Sequence, residues 1–271
     1  MKLSILIPAR NEEGNIGKTL NLLTEHLDSA DVTNFEILVV DDGSKDRTNE
    51  IVQTESVHDS RIRIIRNTGR NGFGRAVTVG LNNFTGDAVI VYMADASDSP
   101  EDVVRYYHIL RDEADCAFGS RFLRDSKIYD YPRFKLVINR IANFAIRLMF
   151  QLPYNDVTNA FKGYRRHVIE GCRPFVSPHF NLTIEIPLKA IVRGYTYKTL
   201  PIIWRNRDVG ESALKLKEQG SRYLYTLLTV WFEYLLVSHD TYRTDSGEFV
   251  PWRAEDAPLE PEPLTPQEKP R

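Results

Sequence analysis

Several short segments of this chain carry residue types that handle phosphates and sugars. Asp41-Asp42-Gly43-Ser44 sets two carboxylates before a small polar turn, a pattern suited to hydrogen bonding a nucleobase or ribose. The same residues equally suit a helix N-cap, with Ser44 or Asp46 as the cap. Met93-Ala94-Asp95-Ala96-Ser97-Asp98 offers hard oxygen donors. Mg2+ and Mn2+ take one or two carboxylates and complete their shell with substrate phosphates, so Asp95 and Asp98 are the candidate metal ligands. A capping turn into the helix at Pro100 is compatible with that role. Gly69 to Ala76 is Gly-rich and basic, so its backbone could approach a phosphate closely. It fits neither the dinucleotide pattern, because Gly74 is followed by Arg75-Ala76-Val77, nor a Walker loop. His167 and His179 lack His–His or His–Cys ligand spacing, which argues against zinc.

These segments need a scaffold that brings them together. Leu3–Ile7, Phe35–Val40, Ile62–Arg66 and Ala88–Tyr92 read as short apolar strands. Helical patterns follow each: Asn15–Leu27, Asp46–Glu55, Phe73–Asn82 and Pro100–Glu113. Continuous apolar strands alternating with helices predict an α/β fold, a mostly parallel sheet with helices on both faces. Such sheets bind ligands at the carboxyl ends of their strands, which is where the loops above fall. Further on, the pattern predicts a helix from Pro132 to Phe150, a helix over Leu182–Arg193 despite Pro187, and a strand over Tyr197–Trp204. Leu214–Val237 reads as one or two amphipathic helices.

Composition narrows the function classes. The 271 residues carry 35 Lys+Arg against 37 Asp+Glu, a net charge of −2 that gives no overall field for nucleic acid. The two cysteines, Cys116 and Cys172, exclude a disulfide framework. No apolar run reaches the roughly 20 residues of a membrane span, and the first residues do not read as a signal peptide. Six of the 14 prolines lie in residues 241–271, which predicts a disordered Pro- and acid-rich tail. The expected division is a catalytic domain over 1–213, amphipathic helices over 214–240 and the tail over 241–271.

In this order the loops resemble the family 2 glycosyltransferases, which have the nucleotide-sugar-binding GT-A fold, and within them the polyprenyl-phosphate sugar synthases. The resemblance covers residues 1–237. Pro8, Asn11 and Glu12 match the family's first donor loop, and Val40-Asp41-Asp42-Gly43-Ser44 its second, where the second Asp contacts the base. Gly72-Phe73-Gly74 matches its Gly-rich loop and Gly119-Ser120-Arg121 its Gly-Ser-Arg motif. Asp156 to Lys162 is similar to Asp-x-x-Ser-Gly-Phe-Arg, and Asn206 to Ser212 to the Arg-x-x-Gly-Glu-Ser-Lys loop. Two motifs depart: Met93 and Ser97 replace the first Asp and the Gln of Asp-x-Asp-x-Gln, and Ala213 replaces the final Lys.

The resemblance implies an inverting transfer of a hexose from a GDP- or UDP-sugar to a polyprenyl or dolichyl phosphate. It places Mg2+ or Mn2+ at Asp95 and assigns Arg121, Lys135 and Arg207 to the reacting phosphates. Lys135 stands where Arg is usual, and Lys lacks the bidentate fork. A phosphate nucleophile is already largely ionised at neutral pH, so no general base is required. Glu185, in a stretch similar to the family's Phe-x-x-Glu, is implied on the acceptor side; a capping or salt-bridge role fits it equally. Arg133, Arg140 and Arg147 recur every seven residues beside apolar positions, which suits an anionic membrane surface as well as a solvated stripe on a core helix. The aromatic-rich segment from Tyr223 to Leu236 suits an interfacial anchor, a face for a small membrane partner, or packing on the catalytic domain. A peripheral place on the cytoplasmic face of a membrane follows. A glycan or small-molecule acceptor, a non-catalytic nucleotide-sugar-binding subunit and a nucleotidyltransferase are the competing readings.

Overall fold

A computed structural model describes residues 1–206 and 216–237. In chain order the elements are β1 (Leu3–Ala9), α1 (Ile16–Ser29), β2 (Phe35–Asp41), α2 (Thr48–His58), β3 (Ile62–Arg66), α3 (Phe73–Leu81), β4 (Ala88–Val91), α4 (Pro100–Asp112) and β5 (Cys116–Ser120). They continue with β6 (Lys127–Tyr129), α5 (Arg133–Phe150), β7 (Lys162–Arg165), α6 (Arg166–Gly171), α7 (Leu182–Val192), β8 (Tyr197–Pro201), β9 (Ile203–Arg205) and α8 (Leu216–Val237). Seven strands form one sheet in the order β3-β2-β1-β4-β7-β5-β8, and β6 pairs with β9 in a separate ribbon. All pairings are parallel except those of β7, which runs antiparallel between β4 and β5.

Alternation along the central strands feeds two cores. Ile5, Ile7, Ile37 and Val39 point into the cluster that α1 and α4 cover, with Leu20, Leu23 and Tyr106. Leu6, Leu38 and Val40 point into the opposite cluster, with Val77, Ile146 and Leu188. Every residue of β1 and β2 is buried, as expected for strands covered on both faces.

The expected first half is present with shifted helix ends. The second half departs from expectation in two ways. Four short elements, β5, β6, β7 and α6, carry no periodic signal; β7 is Lys-Gly-Tyr-Arg, polar in composition yet central in the sheet. The single strand expected over Tyr197–Trp204 is divided at Ile202, whose N–H reaches Ser120 O while the chain turns from β8 into β9. Pro187 does lie inside α7. Its missing N–H would have bonded the carbonyl of Thr183. That carbonyl instead accepts the ammonium of Lys162 at 3.2 Å, which is why the helix tolerates the proline.

The C-terminal segment is one helix, α8. Its inner face packs on α7: Thr226 bonds Ser177 and Asn181, and Arg193 pairs with Glu233 at 2.6 Å. Leu224, Tyr225, Phe232 and Leu236 remain exposed on the outer side. Packing and an outward apolar face therefore coexist. The expected tail over 241–271 lies outside the described residues.

Candidate active site

The carboxyl ends of β1, β2, β4 and β5 and the amino end of antiparallel β7 lie at one edge of the sheet. The first two loops are stitched together there. Asn11, at φ 55°, donates its N–H to Ser44 Oγ and accepts Lys45 N–H on Oδ1 at 2.8 Å. Glu12 donates its N–H to Thr48 Oγ1, and its carboxylate accepts Asn15 Nδ2. Pro8 is buried in β1 opposite Val40. Asp41 accepts the N–H of Ser44 at 2.8 Å, so the Asp-Gly-Ser turn is capped by its own carboxylate.

Asp42 holds the third loop. Its two oxygens accept Asn67 Nδ2 at 2.7 Å and Gly72 N–H at 2.8 Å. The glycines there have a packing reason. A Cβ on Gly72 would stand 2.5 Å from Pro178 O, and one on Gly74 would collide with Ser177 O. Gly72 and Gly74 thus admit the 177–179 backbone, a reason that the Gly-rich composition alone does not distinguish from phosphate approach.

The fourth loop carries the metal candidates. Ala96, at φ 52°, turns the chain so that Asp95 Oδ1 accepts Ser97 N–H at 3.1 Å. Asp98 is 3% exposed, its main-chain carbonyl accepts Tyr92 OH, and it bridges to Trp204. Its Oδ1 is buried and, among the described residues, has no hydrogen-bond partner. Burial, then the nearby Asp95, raise its proton affinity well above the usual carboxylate range, with Arg121 opposing. Among the described residues no group of three or more His, Cys, Asp or Glu could hold a metal by itself. The fit is of another kind: two hard carboxylates, one with an orphan oxygen, suit a divalent ion that shares its shell with a diphosphate.

Arg121 lies 9% exposed after β5 and forks onto Asp156, Nε to Oδ2 at 2.8 Å and Nη2 to Oδ1 at 2.7 Å. Burial alone would loosen its proton; Asp156 outweighs that and keeps it firmly cationic. Tyr131 OH and Thr158 Oγ1 complete its surroundings at 3.4 Å. Asn143 of α5 grips Thr158 from behind at 2.9 Å. Asp156, Tyr131, Thr158 and Asn143 were not assigned roles from sequence. The signal for Asp156 was present, since a buried Arg requires a counter-charge and Asp156 opens a matched motif. Lys162, 1% exposed, donates to the carbonyls of Val157, Asn159 and Thr183 and so ties this segment to α7.

Lys135 is half-buried on α5. Glu185 turns into the interior. It is fully buried in α7, accepts the N–H groups of Val176 and Ser177, and pairs with Lys189 at 2.9 Å. All of these partners are internal, so the acceptor-side expectation for Glu185 gives way to the salt-bridge one. Arg207, the remainder of its loop to Ser212, and Ala213 lie outside the described residues.

Comparisons agree with this geometry. Residues 4–172 match the model of glycosyl transferase family 2. The chain is 30% identical over 236 residues to a dolichol-phosphate mannosyltransferase of Pyrococcus furiosus, covering 84% of this chain but only 64% of that protein. It is 30% identical over 216 residues to a polyprenol monophosphomannose synthase of Mycolicibacterium smegmatis, covering 78% of this chain and 80% of that one. Among solved structures, glucosyl-3-phosphoglycerate synthase from Mycobacterium tuberculosis with Mn2+, UDP and glucosyl-3-phosphoglycerate superposes at TM-score 0.64. That likeness, at 19% identity over 84% of this chain and 79% of the other, shows the shared GT-A fold. The chain belongs to glycosyl transferase family 2.

Proposed function

We propose that this protein transfers a hexose from a nucleoside-diphosphate sugar to a polyprenyl phosphate, with inversion at the anomeric carbon. The observation that carries the reading is the convergence of Asp41 and Asp42, Asp95 and Asp98, and Arg121 at one edge of the sheet. The relatives at 30% identity act on dolichol phosphate and polyprenol phosphate by their names, which favours a lipid phosphate over a glycan acceptor. The base and ribose lie against the first two loops, where Asn11, Glu12 and Asp41 hold the turns in register.

Asp95 and Asp98 would hold Mg2+ or Mn2+, which supplies Lewis-acid stabilisation of the leaving diphosphate. Asp95 presents the more exposed carboxylate and Asp98 the buried one, whose Oδ1 has no hydrogen-bond partner among the described residues. Arg121, fixed by Asp156, contributes positive potential at the carboxyl end of β5. In this reading Lys135 of α5 supplies a further cation, and the family resemblance gives the same role to Arg207. The acceptor phosphate attacks in line, and its own charge makes a side-chain base unnecessary.

The protein works at a membrane surface in this reading. No helix among the described residues is long and apolar enough to cross a membrane. Phe134, Val137, Ile141, Phe144 and Leu148 are 55–72% exposed along one side of α5, beside Arg133, Arg140 and Arg147. The outer face of α8 adds Phe232 and Leu236. An amphipathic face of this kind lies on anionic lipid at the cytoplasmic side or docks a small membrane partner. Flotation with anionic vesicles tests the surface claim, and failure to float alone or with a membrane extract removes it. For the reaction itself, polyprenyl phosphate and a GDP- or UDP-sugar should yield a lipid-linked hexose detectable by mass spectrometry. Sugar appearing only on water-soluble acceptors would overturn the lipid assignment.

A further inference from the structure

The inner face of α8 packs Leu227, Val230 and Trp231 on the second core. Beside them it buries a polar side chain, Thr226, against Ser177 and Asn181 of the segment ahead of α7, and these two are buried as well. The three form a triangle. Asn181 Nδ2 donates to Ser177 Oγ and to Thr226 Oγ1, each at 2.9 Å, and the two hydroxyls meet at 3.1 Å. The hydrogens close in one arrangement. Thr226 gives its own to the Arg222 carbonyl at 3.0 Å, so Ser177 is the donor to Thr226, and Asn181 supplies both amide hydrogens. The amide is oriented from its other end too, because Asn181 Oδ1 accepts the His179 N–H at 3.3 Å. A buried network satisfied in one arrangement fixes position as well as adding stability.

What the triangle positions is the Gly-rich loop. The Pro178 carbonyl accepts the Arg75 N–H at 3.3 Å, and the Phe180 ring stacks on Phe73 with centroids 4.3 Å apart. The carbonyls of Pro178 and Ser177 stand where side chains on Gly72 and Gly74 would be, so the two backbones touch without slack. From its other side the loop is tethered to Asp42 through the Gly72 N–H. Glu185 holds the start of the segment by the Val176 and Ser177 N–H groups, and Thr226 holds its Ser177 and Asn181 side chains. A continuous run of contacts therefore leads from α8 through Ser177 to Asn181, and on through the Gly-rich loop to Asp42.

We propose that Thr226 is a positioning residue for the donor site, setting through Ser177 and Asn181 the backbone against which the Gly-rich loop is shaped. The proposal rests on the donor-binding reading of that loop and names what holds it. The test is calorimetry on the full chain with GDP and with UDP, each with Mg2+, followed by the donor KM and kcat. Thr226→Val keeps the shape of the side chain and strands two buried donors. It should weaken whichever nucleotide the wild type binds about three- to tenfold, and raise the donor KM by a like factor with kcat little changed. Thr226→Ser, which restores the hydroxyl, should recover both. Ser177→Ala, a milder cut in the same triangle, should shift affinity the same way by a smaller factor. Glu233→Gln loosens α8 at Arg193, and should lower the melting temperature without moving nucleotide affinity. Unchanged affinity in Thr226→Val, or in Ser177→Ala where Thr226→Val does not fold, overturns the proposal. So does an equal loss in Glu233→Gln, which would make Thr226 one of several residues that only hold the helix, or a Thr226→Ser variant no better than Thr226→Val. Each of these failures leaves the donor reading standing, because wild-type binding is measured alongside. A wild type that binds neither nucleotide overturns the donor reading and the proposal with it.

Discussion

Arg121 and Asp156 form a buried fork in which Nε and Nη2 meet the two carboxylate oxygens at 2.8 and 2.7 Å, and Asp156 also takes the Arg121 N–H. The pair joins the end of β5 to the segment leading into β7 and, in the proposed reaction, fixes where a positive charge would stand beside the reacting phosphates. Removing one partner strands a buried charge, so Asp156→Asn should destabilise the fold by about 3 kcal/mol. Urea denaturation measures this. A cost under about 1 kcal/mol would mean the pair is not the local anchor described.

Asp42 accepts two donors, Asn67 Nδ2 and Gly72 N–H. Asp42→Asn would turn an amide NH2 toward one of them. The expected result is a loss of about 2 kcal/mol in stability and weaker nucleotide binding, because the third loop loses its tether. Calorimetric titration with GDP and UDP reports the second effect; unaltered affinity for both would detach Asp42 from the donor site.

Asp95 is half-buried, and its oxygen braces Ser97 without carrying the core. Asp95→Ala should therefore reduce turnover on the order of a thousandfold with little change in melting temperature, the cost of losing charge stabilisation of the leaving group. Chelation of divalent ions should lower the wild-type rate in parallel. A variant within a few-fold of wild type would remove Asp95 from the chemistry.

Glu36 gives the fold an acid-sensitive joint remote from the site. Burial pushes its carboxyl up, but Arg63, Ser4 and the Thr85 N–H outweigh burial and bring it down to about 2 from 4.5. A carboxyl depressed in the folded state contributes stability that is present above 4.5 and lost as pH falls toward 2. Stability followed from pH 6 to pH 2 should fall through that window, and Glu36→Gln should flatten its share of the slope. An equal slope in the variant would refute the assignment.

The first half of the fold was legible because β1 to β4 are apolar runs set between amphipathic helices, and because the site loops end those runs. The Gly-rich loop was visible as a motif, yet its glycines answer to the 177–179 backbone, a contact between segments a hundred residues apart that local composition does not encode. β7 was hidden for a related reason. Its Lys162 and Gly163 look like loop residues until the carbonyl left open by Pro187 and the close neighbours of Gly163 show why they are needed. Glu185 read equally as a site acid or an internal one, and only its partners Val176, Ser177 and Lys189 separate the two.

The most direct test of the account is nucleoside diphosphate release from a panel of GDP- and UDP-sugars, with polyprenyl phosphate in detergent, with and without Mg2+ or Mn2+. The account predicts release from at least one donor that requires the lipid and the metal together. Nucleotide binding without release from any donor, or release indifferent to the lipid, would contradict it.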